Sequence, residues 1–269
     1  MAELHPAVEG WFDYLAQRNR SLATLRTYRS TMGSYPHDAL DVTLEQAEVW
    51  WEQQRTNSVN TRNRTLSCVR SFYAWALRFD LVDKDPTRRL DPPHKGRRLP
   101  QPTSRTELRA VLSRCDTEEA PDLRRAVCLA AYAGLRVAEA AALDWRDVDL
   151  EARRVIVRGG KGDKDRAVGL SSLLVDELLP DTGGNVVTGT SQVYSADALQ
   201  RRANRLLERA GVDGTFHKLR ARFATMALAG TGNLLAVSRA LGHSSPAVTA
   251  VYAATADSDL DLIAEAAVR

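Results

Sequence analysis

The apolar positions of the first eighty residues recur at intervals of three and four. Val8, Trp11, Phe12 and Leu15 share one face of a helix over 6–18. Leu22, Leu25 and Tyr28 repeat that spacing over 21–32, with Ser21 placed to cap it. Thr43 followed by Gln46 is a capping box that opens a third helix through Val49 and Trp50. Ser58 to Phe79, with Leu66, Val69, Tyr73, Ala76 and Leu77, reads as the longest. Four helices with short loops predict a bundle of about 80 residues.

The periodicity stops where proline begins. Pro86, Pro92, Pro93, Pro100 and Pro102 are five of the ten prolines in the chain, so the reading is a bundle over 1–84, a linker over 85–103 and a second domain over 104–269. Proline should keep that linker extended. Ser104 with Glu107 is a second capping box, opening a helix to about Cys115, and Pro121 leads an apolar helix that ends at Gly134. A short helix follows over Val137–Leu143. The stretches 154–158 and 166–170 alternate as two strands around a glycine-rich hairpin turn at 159–165. Helices then recur at about 171–179, 196–210, 217–229, 233–241, 246–253 and 257–268. The fold class is mainly α, with a small antiparallel sheet in a mostly helical α+β second domain.

Charge changes the picture by where it falls. The net formal charge of +3 over 269 residues is modest. Residues 1–54 carry four arginines against eight acids, whereas 55–78 carry Arg55, Arg62, Arg64, Arg70 and Arg78 and no acid. Lys84, Arg88, Arg89, Lys95, Arg97 and Arg98 follow over 84–104 against Asp85 and Asp91, and 105–269 balances at zero. A basic helix followed by a basic linker suits a phosphate backbone, with Arg62, Arg64, Arg70, Lys95, Arg97 and Arg98 as candidate DNA contacts. No apolar run approaches the ~20 residues of a membrane span and the N-terminus lacks a signal peptide, so a cytoplasmic protein is expected. Cys68, Cys115 and Cys128 have no metal-ligand or disulfide spacing.

Five stretches of the second domain hold residues suited to phosphoryl transfer: Arg136 to Glu139, Lys161 between Gly160 and Gly162, His217 with Arg220, Gly242-His243, and Tyr252. Each has a plain structural explanation when taken alone: a helix-end cation, a solvated turn lysine, an exposed pair one turn apart, a packed tyrosine. Their joint occurrence in this order is specific. Over Gly134–Leu143, Gly160–Arg166, His217–Thr225 and Leu241–Tyr252 the chain resembles the tyrosine recombinase family, which includes phage integrases and Xer-type recombinases, and the resemblance extends over essentially the whole chain.

The resemblance implies a four-helix, SAM-like core-binding bundle joined to a catalytic domain that breaks and rejoins DNA through a 3′-phosphotyrosyl intermediate. Tyr252 is then the nucleophile. Arg136 and Arg220 clamp the phosphate, since planar cations match the charge that builds on its oxygens. Lys161 becomes the general acid for the 5′ oxygen, with Lys164 its nearby decoy. His217 accepts the tyrosine proton or bonds the phosphate, His243 donates a further bond, and Glu139 orients Arg136. The implied partner is double-stranded DNA with a specific core site, acted on by a homo-tetramer on two duplexes with the last helix packing into a neighbour. No cofactor and no metal are expected.

Ala221 stands where the family often has histidine, and the segment between Lys161 and His217 is short. With the first helix beginning at residue 6, no further arm-binding domain is expected. Integration and excision of a phage or mobile element is the favoured role. The alternatives are Xer-like resolution of chromosome dimers, a type IB topoisomerase-like enzyme, and a non-catalytic DNA-binding protein on the same fold. Ser244 and Ser245 read as a hinge on which Tyr252 swings, making it more mobile than Arg136 or Arg220 without DNA.

Overall fold

Side-chain caps decide where the helices begin. In the computed structural model, which describes residues 4–94, 96, 100–159, 165–178, 184–188, 194–243 and 245–253, α1 (Pro6–Gln17) is followed by α2 (Leu22–Met32), α3 (Leu44–Gln53) and α4 (Val59–Arg78). Ser21, Thr43 and Ser58 each accept an amide from the first turn of the helix they open. The chain divides into two units, residues 1–97 and 98–269.

Aromatic rings hold the first unit together. Trp11 is fully buried, stacked on Tyr28 with ring centroids 5.6 Å apart and edge-on to Phe72 at 5.6 Å. The Tyr73 hydroxyl donates to the carbonyl of Ala39 at 2.7 Å, which leaves no stranded polar group at the buried end of that ring. The proline-rich segment, expected to run extended from Asp85, stays on α4 as far as Pro93. Thr87 and Leu90 are buried. The Arg70 guanidinium donates to the carbonyls of Leu90 at 2.6 Å and Thr87 at 3.4 Å, and Asn63 donates to that of Pro93 at 3.3 Å. Proline removes amide donors but leaves carbonyl acceptors, and α4 supplies donors for them.

The second unit is built on α6 (Pro121–Ala133), which is apolar around most of its circumference and buried along it. Before it lies α5 (Arg105–Thr117), opened by the Ser104–Glu107 capping box. After it come α7 (Val137–Ala142), β1 (Val148–Asp149), β2 (Arg154–Val157), β3 (Arg166–Gly169), α8 (Ser172–Glu177), α9 (Ala196–Arg209), α10 (His217–Thr231), α11 (Leu234–Leu241) and α12 (Pro246–Ala253). The sheet is antiparallel in the order β1-β2-β3, with Val155 opposite Val168 and Val157 opposite Arg166. Val155, Val157 and Val168 face the core while Ile156 points outward, the alternation that marked these strands in the sequence. Strand β1 escapes sequence reading because two residues carry no period.

The irregular stretch expected over 181–191 is described at 184–188. There Val186 and Val187 are fully buried, and the Val186 amide donates to the carbonyl of Leu143 at 2.8 Å. All three cysteines are free and buried. Among the described residues no helix is long and apolar enough to cross a membrane. The helix expected over 257–268 lies outside the described residues.

Candidate active site

Two helix C-termini, of α6 and α11, lie in the second unit where arginines satisfy their carbonyls. Helix α6 closes on Gly134 at φ 69°. A side chain there would collide with the Phe223 ring, so the position requires glycine for both conformation and space. Two residues on, Arg136 caps α7, and the carboxylate of Glu139 accepts its backbone amide at 2.7 Å and its Nη1 at 2.8 Å. Arg220 lies on α10 and is 1% exposed. It donates to the carbonyl of Gly134 at 2.6 Å and to that of Leu241 at 2.6 Å.

The end of α11 is the hub. Its carbonyls at Ala240, Leu241 and Gly242 accept, in that order, from Arg166 Nε at 2.8 Å, Arg220 Nη2 at 2.6 Å and Arg136 Nη2 at 3.1 Å. A helix C-terminus carries unpaired carbonyls and partial negative charge, so it stabilises cations aimed at it. The Arg166 fork also spans both Glu139 oxygens, each at 2.8 Å. Burial alone would raise the Glu139 carboxyl. Hydrogen bonds from Arg166 and from the Arg136 backbone, with their charges, outweigh it and hold the pKa at about 2. Three guanidiniums around one carboxylate leave a local excess of positive charge for an anion to occupy. Burial and the charge of Arg136 bring Arg220 down to about 10, so it stays cationic at neutral pH.

The histidines and Tyr252 border this cluster. His217 is the first residue of α10, exposed at the rim, and its imidazole is lowered by desolvation there and by Arg220 and Arg136. His243 follows Gly242, and its Nδ1 shares a 2.8 Å hydrogen bond with the hydroxyl of Thr249 on α12. Burial, then Arg220 and Arg136, hold His243 at about 4. Tyr252 is 7% exposed and packs with Ala221, Ala224, Leu228, Val237 and Leu241. Burial raises its hydroxyl, against the pull of Arg220 and Arg136, so the phenol is protonated at neutral pH. A cleft of about 880 Å³ opens beside it, walled in part by Gln101, Asp213, Thr215, His217 and Lys218.

Arg136, Glu139, His217, Arg220, His243 and Tyr252 thus belong to one region of the second unit, reached from α7, α10, α11 and α12. Lys161 and Lys164 lie outside the described residues, as do Lys95, Arg97, Arg98 and Ser244. In the first unit Arg64 is exposed on α4, Arg62 stacks over the Trp51 ring at 4.7 Å, and Arg70 is occupied with the carbonyls of Thr87 and Leu90. Sequence reasoning assigned no part to Arg166 or Thr249. The one available signal was that Arg166 closes the glycine-rich stretch beginning at Gly160. Among the described residues no group of three His, Cys, Asp or Glu side chains is arranged to hold a metal ion.

Residues 103–259 match the phage integrase family. The chain belongs to that family. The tyrosine recombinase XerA of Thermococcus kodakarensis is 32% identical over 264 residues, spanning 94% of this integrase-family chain and 92% of its own length. Among solved structures, a lambda integrase(75-356) dimer bound to a COC′ core site superposes with a TM-score of 0.77 at 20% identity, covering 93% of this chain and 94% of that one. A lambda integrase tetramer bound to a Holliday junction gives 0.75 at 16% identity, covering 91% and 76%. At such identities the two structures speak for the fold, a mainly helical family member with a small antiparallel sheet.

Proposed function

We propose that this integrase-family protein is a site-specific DNA recombinase that cleaves and rejoins double-stranded DNA through a 3′-phosphotyrosyl intermediate. The observation that carries this is the convergence of Arg136 and Arg220 on the end of α11, beside His217, His243 and Tyr252. The Tyr252 oxygen attacks phosphorus. Its proton passes to His217, which is held neutral and so can accept one. Charge gathering on the non-bridging oxygens is met by the two guanidiniums and by His243, whose ring is oriented by Thr249. The bond to the 5′ oxygen breaks as that oxygen takes a proton, from Lys161 in this reading. A 5′ hydroxyl of the partner strand then attacks the phosphotyrosine and releases Tyr252, so no external energy source is consumed.

Exchange between two duplexes needs four strand cleavages, hence four copies of Tyr252, which supports a homo-tetramer acting in the cytoplasm. Basic side chains of α4 and the linker, Arg64 foremost, would hold the DNA backbone. Integration and excision of a mobile element is the role favoured here. Similarity to XerA over most of both chains favours Xer-type recombination as a second reading.

The test is a pool of nicked duplexes with a randomised centre, incubated with the protein and denatured. Wild type should trap a covalent adduct whose DNA converges on one sequence. Tyr252→Phe, with an unchanged circular dichroism spectrum, should trap none. Adduct formation by the phenylalanine variant would sink the assignment.

A further inference from the structure

We infer that Arg166 is a positioning residue for the phosphate clamp, acting on Arg136 through Glu139. The inference rests on the recombinase reading and adds a member to its site. Each Glu139 oxygen is shared. Oε1 accepts from Nη1 of Arg166 and Nη1 of Arg136, and Oε2 from Nη2 of Arg166 and the backbone amide of Arg136. Arg166 therefore fixes the carboxylate from one side so that Arg136 meets it in a single geometry on the other.

The arrangement around Arg166 engages its whole fork inside the protein. Its side chain is 10% exposed, and its Nε is bound to the Ala240 carbonyl at 2.8 Å. Gly242 closes over it at φ 62°, where a β-carbon would lie 3.0 Å from Nη1. All three nitrogens of the fork already donate within the protein.

Removing Arg166 would do more than free Glu139. The next cation is Arg220, whose Nη1 stands 3.6 Å from Oε2. A carboxylate released from Arg166 would draw Arg220 away from the carbonyls of Gly134 and Leu241, disordering the second half of the clamp. Arg166 also opens β3 and so ties the start of that strand to the end of α11.

The experiment uses the nicked duplex recovered with the wild-type protein, and measures its binding by gel shift separately from the rate of adduct formation. Arg166→Ala should bind as wild type and form adduct roughly 10- to 100-fold more slowly. Arg166→Lys keeps the charge but not the fork, should fall between the two, and serves in place of Arg166→Ala if the alanine variant does not fold. In a Glu139→Gln background either substitution should slow the reaction little further, because the path through the carboxylate is already cut. Adduct formation by Arg166→Ala and Arg166→Lys at the wild-type rate overturns the inference and leaves the recombinase reading standing. A full multiplicative loss in the Glu139→Gln background also overturns it, since Arg166 would then act by another route. Failure of wild type itself to form adduct on any duplex takes both down.

Discussion

Replacing Glu139 by glutamine takes away the charge shared by Arg136, Arg166 and Arg220 while keeping the side chain's volume and one acceptor. The side chain is 8% exposed, so solvent does little to screen the change. Its pKa falls from the ordinary 4.5 to about 2 on folding, which at 1.36 kcal/mol per pH unit amounts to about 3 kcal/mol of stability at neutral pH. Between those two values the unfolded carboxylate binds the proton and the folded one does not. The advantage of wild type over Glu139→Gln should therefore be complete above about pH 4.5, shrink as the pH falls below it, and be lost by about pH 2. Hydrogen exchange of the α6 and α10 amides in urea reads the second unit separately from the first. A difference under about 1 kcal/mol at pH 7, or one that grows as the pH falls, would refute the assignment of Glu139 as the electrostatic keystone.

His243, held at about 4 by burial and by Arg220 and Arg136, is neutral at pH 7, and a phosphate beside it should raise it. DNA binding should then take up protons at pH values above about 4, where the free imidazole is neutral, seen as calorimetric heats that vary with the buffer's ionisation enthalpy; heats independent of buffer would count against it. Without DNA the same group removes stability as the pH falls from 6.5 toward 4, because only the unfolded imidazole takes the proton. Gly134→Ala forces a β-carbon into the Phe223 ring at φ 69° and should cost roughly 1–3 kcal/mol from the backbone alone, so an unchanged melting temperature would contradict the packing described. Arg64→Ala should weaken DNA binding and reduce the slope of affinity against salt by about 1. Arg70→Ala should instead lower the stability of the first unit by roughly 1–3 kcal/mol, since it strands the carbonyls of Thr87 and Leu90; the reverse pattern would show their roles exchanged.

Most helix starts were legible because their causes are local. Ser21, Thr43, Ser58 and Ser104 cap amides within three residues, and His217 precedes Arg220 by one turn of one helix. The apolar stripe of α1 and the alternation of β2 could be read for the same reason. Arg70, expected to contact DNA, donates to the carbonyls of Thr87 and Leu90, which the sequence could not show because a basic side chain on an amphipathic helix looks alike whether it faces phosphate or a carbonyl of the segment that folds over it. Arg166 went without a role for a related reason. Its partners are Glu139 and the backbone of Ala240, 27 and 74 residues away, and a carbonyl has no letter in the sequence.

The sequence by itself determined which charges and nucleophiles the second domain possesses and the order in which the chain presents them, since these follow from residue identity and short-range spacing. Only the tertiary structure decided their state. Packing of α10 against α6, and of α11 against α10 and β3, turned three unpaired helix-end carbonyls toward Arg136, Arg166 and Arg220, buried Tyr252 in its protonated form and lowered His243 to about 4. Burial and the orientation of backbone dipoles are properties of chain segments up to 106 residues apart, which no local pattern records.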